Sequence, residues 1–265
     1  MKARSQSSSI PKKRSKTPRG AKKPGEKWDC ARTLRELRAL GEQRNVAGMA
    51  RFGIRAKIAY GVAKPRMDQL ARRIGKDHAL ALALWSSGVH DAKILAGMIA
   101  EVARVTPGQM ERWVRDFDNW DVCDGTCCHL FAHTQGAWGK AQLWSARKAE
   151  FEKRAGFALM AYLAVHDKTA NDRAFVRLLP MIRREARDER NFVRKSVNWA
   201  LRQIGKRNLR LNRAAVREGE RIQKMESPAA RWIAADALRE LTSDAVQKRL
   251  KAKAAKFRGQ RNSKK

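Results

Sequence analysis

Apolar residues recur every three or four positions through most of the chain, from Trp28 to about residue 255. Residues 94–102, for example, place apolar side chains at positions i, i+1, i+4, i+5 and i+8, which is one face of an α-helix. Thr106-Pro107 and Ser227-Pro228 each combine a capping residue with a proline that suits the first turn of a helix. No segment alternates apolar and polar residues with the Val, Ile and Thr content of a strand. The pattern therefore predicts an all-α protein.

The predicted helices follow one another through short connections, and each helix pair takes up roughly 35–45 residues. This period is typical of HEAT-type repeats, in which each helix pair buries its apolar face against the neighbouring pairs. Because the repeats share no evident consensus, the prediction rests on the period alone, and a globular helix bundle is the alternative. We expect a HEAT-like α-solenoid of antiparallel helix pairs with a concave basic face.

Two basic segments flank the helical region. Residues 1–27 contain ten basic residues and one acidic residue among Ser, Pro and Gly, a composition that cannot form a core. We therefore expect a disordered basic tail at 1–27, a folded domain at 28–247 and a basic C-terminal tail at 248–265. The Lys12-Lys13-Arg14 run is compatible with a nuclear signal or with a plain DNA-binding tail. The expected location is the cytoplasm or nucleoid, or the nucleus of a eukaryote.

The net charge favours a polyanionic partner. The chain of 265 residues has 59 Lys and Arg against 26 Asp and Glu, a formal charge of +33. Neutralising this charge with phosphates relieves self-repulsion and releases counterions, so nucleic acid is the favoured partner. Attachment to an acidic membrane surface, or solubility alone, is the alternative. The chain lacks both an apolar run of about 18 residues, as a membrane span needs, and the apolar segment of a secretory signal.

A group of potential metal ligands lies in the middle of the chain. Five side chains of the type that zinc prefers fall within eleven residues: Cys123, Cys127, Cys128, His129 and His133. They contain no Cys-x-x-Cys pair, and ligands from one or two helical turns do not readily close a tetrahedron. We therefore interpret them as buried thiols and structural histidines, and we expect no metal and no cofactor.

The strongest candidate for chemistry is the acidic segment at 116–124. Trp120 and Asp124 are four positions apart on a predicted helix and share one face. An ionised carboxylate resists burial beside an indole, whereas the ring face and the charge together suit a bound cation. The alternative is a helix start that favours Asp residues, with Trp120 in the core. Trp199 and Arg154, taken alone, likewise have structural interpretations as a core residue and a solvated charge.

Several motifs, taken together, resemble the AlkD-type DNA alkylation repair glycosylases. These are Tyr60-Gly61-Val62 before a Pro65-Arg66 helix start, Leu84-Trp85 with His90 and Lys93, residues 119–124, Lys153-Arg154, and residues 192–199. The resemblance covers roughly residues 28–241. It implies a HEAT-like fold and removal of N3- and N7-alkylated purines from double-stranded DNA. We expect a monomer.

The resemblance also implies site residues. One carboxylate and two aromatic walls form the catalytic set: Asp124, Trp120 and Trp199. Basic side chains on two predicted helices are the expected DNA contacts: Lys153, Arg154, Arg194 and Lys195. A cationic base is a good leaving group, so the barrier is the positive charge that develops on the sugar, which Asp124 would stabilise. The alternatives are a DNA-binding HEAT protein without activity and a solenoid that binds proteins.

Overall fold

The computed structural model describes residues 27–262 of the chain. Throughout this range the regular elements are helices, and the β contact it contains is an isolated bridge between Gly41 and Val62. The all-α prediction is therefore confirmed. The basic tail predicted at 1–27 lies, except for its last residue, outside the described residues, so it stays a prediction.

The N-terminal half of the described chain contains eight α-helices and three 3₁₀ turns. The helices are α1 Cys30–Leu40, α2 Gln43–Met49, α3 Lys64–Ile74, α4 His78–Ser86, α5 His90–Ile99, α6 Pro107–Arg115, α7 Trp120–His129 and α8 Ala137–Ser145. The 3₁₀ turns are Ala50–Phe52, Val102–Arg104 and Phe131–His133. Seven helices follow in the rest of the described chain: α9 Glu150–His166, α10 Asp172–Val176, α11 Leu179–Glu185, α12 Asn191–Gly205, α13 Leu209–Gln223, α14 Pro228–Leu241 and α15 Asp244–Asn262.

The helices form two layers. Helices that follow one another pack closely in the pairs α4 with α5, α8 with α9, and α13 with α14. A second set of contacts joins α5 to α7, α7 to α9, α9 to α12, and α12 to α14. These five helices therefore lie side by side as a continuous layer. This stacking of pairs is the HEAT-like arrangement that the repeat period predicts.

Side-chain caps fix the helix starts where the sequence predicts them. The hydroxyl of Thr106 accepts from the backbone of α6, and that of Ser227 accepts from the backbone of α14. At the start of α7, the Asn119 side chain accepts hydrogen bonds from the N–H groups of Asp121 and Val122, both at 3.0 Å. This cap makes Trp120 the first residue of α7 and so determines where its indole lies.

A close crossing holds α9 against α8. A Cβ on Gly156 would lie 2.3 Å from the backbone nitrogen of Ser145, so only a glycine permits this approach. Beside it, buried aromatic rings fill the space between layers, including a stacked pair formed by Trp85 and Trp113 with centroids 3.9 Å apart. The position of α9 is therefore set by backbone contact rather than by adaptable side chains.

The helical region extends beyond the predicted boundary at residue 247. Helix α15 continues to Asn262, and its Val246 and Leu250 side chains are buried. The segment expected to be a tail from residue 248 thus begins as a packed helix, because Leu250 continues the apolar face. Among the described residues, no helix has the length and apolar character that crossing a bilayer requires.

Candidate functional site

The first two residues of α7, Trp120 and Asp121, each contact a different part of the chain. Its indole Nε1 donates to the backbone carbonyl of Phe52 at 2.9 Å, which joins α7 to the 3₁₀ turn Ala50–Phe52. The neighbouring Asp121 carboxylate lies 3.2 Å from the Nε2 of His90, at the start of α5. The indole is partly exposed, so it is available to a ligand while its orientation is fixed.

Asp124 lies one turn after Trp120 and forms a two-point ion pair with Arg154 of α9. The guanidinium donates from Nε to Oδ1 at 2.8 Å and from Nη2 to Oδ2 at 2.6 Å. Its third group, Nη1, donates to the backbone carbonyl of Phe192 at 2.7 Å. These bonds join α7, α9 and α12 at one point. The side chains of Arg154 and Asp124 are only 8% and 16% exposed, so the pair is largely shielded from water.

Burial and pairing act in opposite directions on the two ionisable groups. Burial raises the pKa of Asp124, and this effect outweighs the lowering by the Arg154 guanidinium. Burial disfavours the charged form of Arg154, but the adjacent Asp124 carboxylate dominates and raises the pKa of Arg154. The site therefore holds a carboxylate whose charge is poorly solvated, and a cation placed nearby would stabilise that charge.

A cleft of about 560 Å³ opens beside this ion pair. Its walls come from the turn at 50–53, the start of α7, the first turn of α9 and the start of α12. The lining residues are Ala50, Arg51, Phe52, Gly53, Trp120, Arg154, Asn191, Phe192 and Lys195. The three charged residues among them are all cations, so the cleft wall favours an anionic ligand such as a phosphate.

Trp199 packs against Tyr162, a residue for which the sequence predicts no role. The Trp199 ring meets Tyr162 of α9 edge to face, with centroids 4.9 Å apart. Burial raises the pKa of Tyr162, and the nearby Cys128 and Asp124 raise it further. Trp199 does not line the cleft itself but lies about two turns farther along α12 than Phe192. The structure therefore places Trp199 outside the cleft, in contact with Tyr162.

The four basic residues expected to contact DNA have different surroundings. Lys195 is exposed and lines the cleft with Arg154. Lys153 is buried, and its ammonium lies 2.5 Å from a Glu185 carboxylate oxygen and 3.1 Å from one of Asp188. The Arg194 guanidinium lies 5.0 Å from the centre of the Trp232 ring, toward α14. Lys153 is thus paired with two carboxylates away from the cleft, whereas Arg194 lies over an indole and its buried Nε has no hydrogen-bond partner among the described residues.

The cysteine-rich part of α7 faces the protein interior. Cys123 and Cys127 are buried, and their thiols donate to the backbone carbonyls of Phe151 and Ala155 on α9. Within residues 27–262, His, Cys, Asp and Glu side chains form no group of three or more that could hold a metal ion. These thiols therefore contribute to the packing of α7 on α9.

Comparisons with known proteins bear on the fold and the family of the chain. A family model described as "DNA alkylation repair enzyme" matches residues 33–241. A solved structure described as "A new family of proteins related to the HEAT-like repeat DNA glycosylases with affinity for branched DNA structures" has a similar fold, with a TM-score of 0.68. The two chains are 20% identical, and the match covers 80% of this chain and 95% of that chain. No curated protein sequence matches the chain. The structural likeness shows the fold, and because the family model spans most of the sequence, the chain belongs to the DNA alkylation repair enzyme family.

Proposed function

We propose that this protein is a DNA glycosylase that excises cationic alkylated purines, such as N3-methyladenine and N7-methylguanine, from double-stranded DNA. The observation that carries the proposal is the Asp124 carboxylate, which is largely buried in an ion pair with Arg154 of the cationic cleft wall and lies one helical turn from the partly exposed indole of Trp120. Membership of the DNA alkylation repair family supports a role in DNA repair.

The proposed chemistry needs a stabiliser of positive charge rather than a proton donor. Alkylation at N3 or N7 makes the base cationic, so it leaves without protonation, and positive charge then develops on the deoxyribose. A carboxylate in a water-poor site stabilises this charge by several kcal/mol. Asp124 performs this role and orients the attacking water, because each of its oxygens accepts one hydrogen bond from Arg154 and keeps a further lone pair.

The indoles bind the sugar and the lesion. Trp120, fixed by its bond to Phe52, offers a π-face to the cationic nucleotide at the cleft. Trp199 and Tyr162 extend this aromatic surface along the duplex. Lys195, an exposed residue of the cleft wall, contacts a phosphate. Selectivity arises because neutral bases are poor leaving groups, so a normal purine beside Asp124 is retained.

Arg154 is a positioning residue in this scheme. Its two-point bond fixes the plane of the Asp124 carboxylate, and its bond to the Phe192 carbonyl ties that geometry to α12. The charge of the guanidinium also lowers the pKa of Asp124 and so opposes part of the increase that burial causes. Removal of Arg154 should therefore reduce catalysis by disordering and protonating Asp124.

Release of 7-methylguanine from methylated duplex DNA tests the proposal. Wild type should release the base, and Asp124→Asn should release it at least about 100-fold more slowly, because the variant keeps the shape and loses the charge. Asp68→Asn on α3 is the matched control and should be as active as wild type, because Asp68 pairs with Lys64 on the surface. Equal release by wild type and Asp124→Asn would exclude Asp124 from the mechanism. No release by wild type would overturn the proposed activity.

The structural neighbour raises a second candidate, which is DNA binding without base release. That protein is described as having affinity for branched DNA structures, and in the present chain the Asp124 carboxylate is occupied by Arg154. If binding is the function, wild type should release no base and should bind a four-way junction more tightly than a linear duplex of equal length. Its affinity should also fall steeply between 50 and 200 mM salt.

A further inference from the structure

The most exposed large apolar side chain at the cleft makes no contact with another ring within residues 27–262. Phe52 is 68% exposed, the highest value among the large apolar residues described, and Ile58 a few residues later is 50% exposed. Both belong to the segment of residues 50–58, which we call the entry loop. Apolar side chains at isolated surface positions are ordinary, but Phe52 also lines the cleft beside Trp120 and Arg154.

The backbone of the entry loop is held in place although its side chains project outward. The Phe52 carbonyl accepts from the Trp120 indole at 2.9 Å, and the Ile54 N–H donates to the Met49 carbonyl at 3.1 Å. Ile54 is buried, with 7% of its surface exposed. Gly53 has a φ of 75° and approaches the ring of Phe192 so closely that a Cβ would lie 2.5 Å from it. Phe52 is therefore presented from a fixed support.

The charges around Phe52 suit a phosphate backbone. Arg51, Arg55 and Lys57 are exposed, and none of them forms an ion pair or hydrogen bond with any residue in the range 27–262. The sequence contains no acidic residue between Glu42 and Asp68. An aromatic ring flanked by unpaired cations is the combination found where proteins insert an apolar side chain into duplex DNA and bind the adjacent phosphates.

We propose that Phe52 is a wedge that inserts between base steps of duplex DNA in the cleft, with Arg51, Arg55 and Lys57 on the flanking phosphates. The proposal rests on DNA being the ligand, as in the proposed function, and is independent of base excision. Because Phe52 is bonded to Trp120, one turn from Asp124, the wedge acts on the step next to the nucleotide at the carboxylate. Unstacking there would open the sugar of that nucleotide to Asp124 without requiring a deep base pocket.

Fluorescence of 2-aminopurine in an unmodified duplex tests the wedge directly, because unstacking this base raises its emission. Wild type should increase the emission severalfold, whereas Phe52→Ala should not and should bind the duplex about tenfold more weakly. Phe52→Trp should restore both signals. Leu143→Ala is the matched control, since Leu143 is a similarly exposed apolar residue, at 54%, on α8 outside the cleft. It should behave as wild type.

The outcomes separate the wedge from the proposed activity. If the emission rises for wild type and for Asp124→Asn while neither releases a base, the glycosylase proposal fails and the wedge stands. If wild type releases 7-methylguanine but Phe52→Ala retains the emission change and the affinity, the wedge is overturned and the glycosylase stands. A DNA-free dimer that Phe52→Ala dissociates, measured by light scattering, would assign the entry loop to self-association and overturn the wedge.

Discussion

Replacement of Arg154 by Met should destabilise the protein far more than loss of an ordinary ion pair. The substitution keeps most of the apolar volume of the side chain but removes the two N–H groups that donate hydrogen bonds to Asp124. The Asp124 side chain is only 16% exposed, so water does not readily replace them. Removing one partner of a buried ion pair costs about 3–5 kcal/mol in free energy of unfolding. Since a domain of this kind is stable by only about 5–15 kcal/mol, the loss should lower its midpoint in urea clearly.

The pH dependence of this loss has a defined sign. Burial already raises the pKa of Asp124, and removal of the Arg154 charge raises it further. A carboxyl group whose folded pKa exceeds its unfolded value binds a proton more tightly when folded, so folding is favoured as the pH falls through the folded pKa. The deficit of Arg154→Met against wild type should therefore be largest near pH 8 and should shrink as the pH is lowered toward 5.

Two further variants make the test specific. Arg73→Met breaks the Arg73–Glu36 ion pair, whose side chains are 51% and 34% exposed, and should cost less than about 1 kcal/mol at every pH. The double variant Arg154→Met, Asp124→Asn should recover part of the loss, because the unpaired buried charge is gone. A deficit for Arg154→Met below about 1 kcal/mol, or one that is constant from pH 5 to 8, would show that Arg154 does not compensate a buried charge on Asp124.

Four other substitutions test helix packing and buried polar contacts, each by urea unfolding. Gly156→Ala should cost at least about 2 kcal/mol, because its Cβ would meet the backbone of Ser145 at 2.3 Å, whereas Gly139→Ala, with no atom within 4 Å, should stabilise the helix by about 0.5–1 kcal/mol. Burial raises the pKa of Glu111, but hydrogen bonds from two cations and an indole lower it to about 2, from an ordinary 4.5. The stabilisation by Glu111 is therefore present above pH 4.5 and is lost as the pH falls to about 2, so Glu111→Gln should be less stable than wild type at pH 7 and equal to it at pH 2. Asp91→Asn should cost about 2 kcal/mol, because the buried carboxylate accepts three backbone N–H groups of the segment before α3, and an amide would turn a donor toward some of them.

Local features of the sequence predict the fold and the shared helix face of Trp120 and Asp124. Helix starts at Thr106 and Ser227 depend on a cap and a proline within a few residues, and both occur as expected. Trp120 and Asp124 share a face because helix geometry places positions i and i+4 together. The stacking of helix pairs likewise follows from the spacing of the predicted helices along the sequence.

Contacts between distant segments lie beyond what one sequence shows. Lys153 and Arg154 look equivalent as neighbouring basic residues, but successive positions on a helix point about 100° apart. Arg154 consequently faces Asp124 on α7, whereas Lys153 faces the carboxylates of Glu185 and Asp188. The partners are 30 or more residues away, and nothing local in the sequence distinguishes the two cations.

The sequence does not predict a role for the entry loop, for a related reason. Its exposed apolar residues, Phe52 and Ile58, follow no helical period, and its shape depends on the approach of Gly53 to Phe192 from a repeat far along the chain. The sequence Phe52-Gly53 predicts only a turn, and the φ of 75° at Gly53 is seen in the structure. Only the folded structure shows that the loop lines the cleft together with Trp120 and Arg154.

The arrangement of charge in the cleft reconciles two demands that conflict. A protein that attracts DNA with a net charge of +33 must bring phosphates to its surface, whereas the proposed chemistry needs an anion at the same place. An exposed carboxylate would repel the backbone. Asp124 avoids this because Arg154 neutralises it from behind and little of it is exposed, so approaching phosphates meet Arg51 and Lys195 instead. A cation that develops within contact distance still interacts with the carboxylate, because an ion pair is neutral at long range and polar at short range. Under the proposed function, the buried pair would thus allow the cleft to bind DNA by charge and to discriminate a cationic nucleotide by charge.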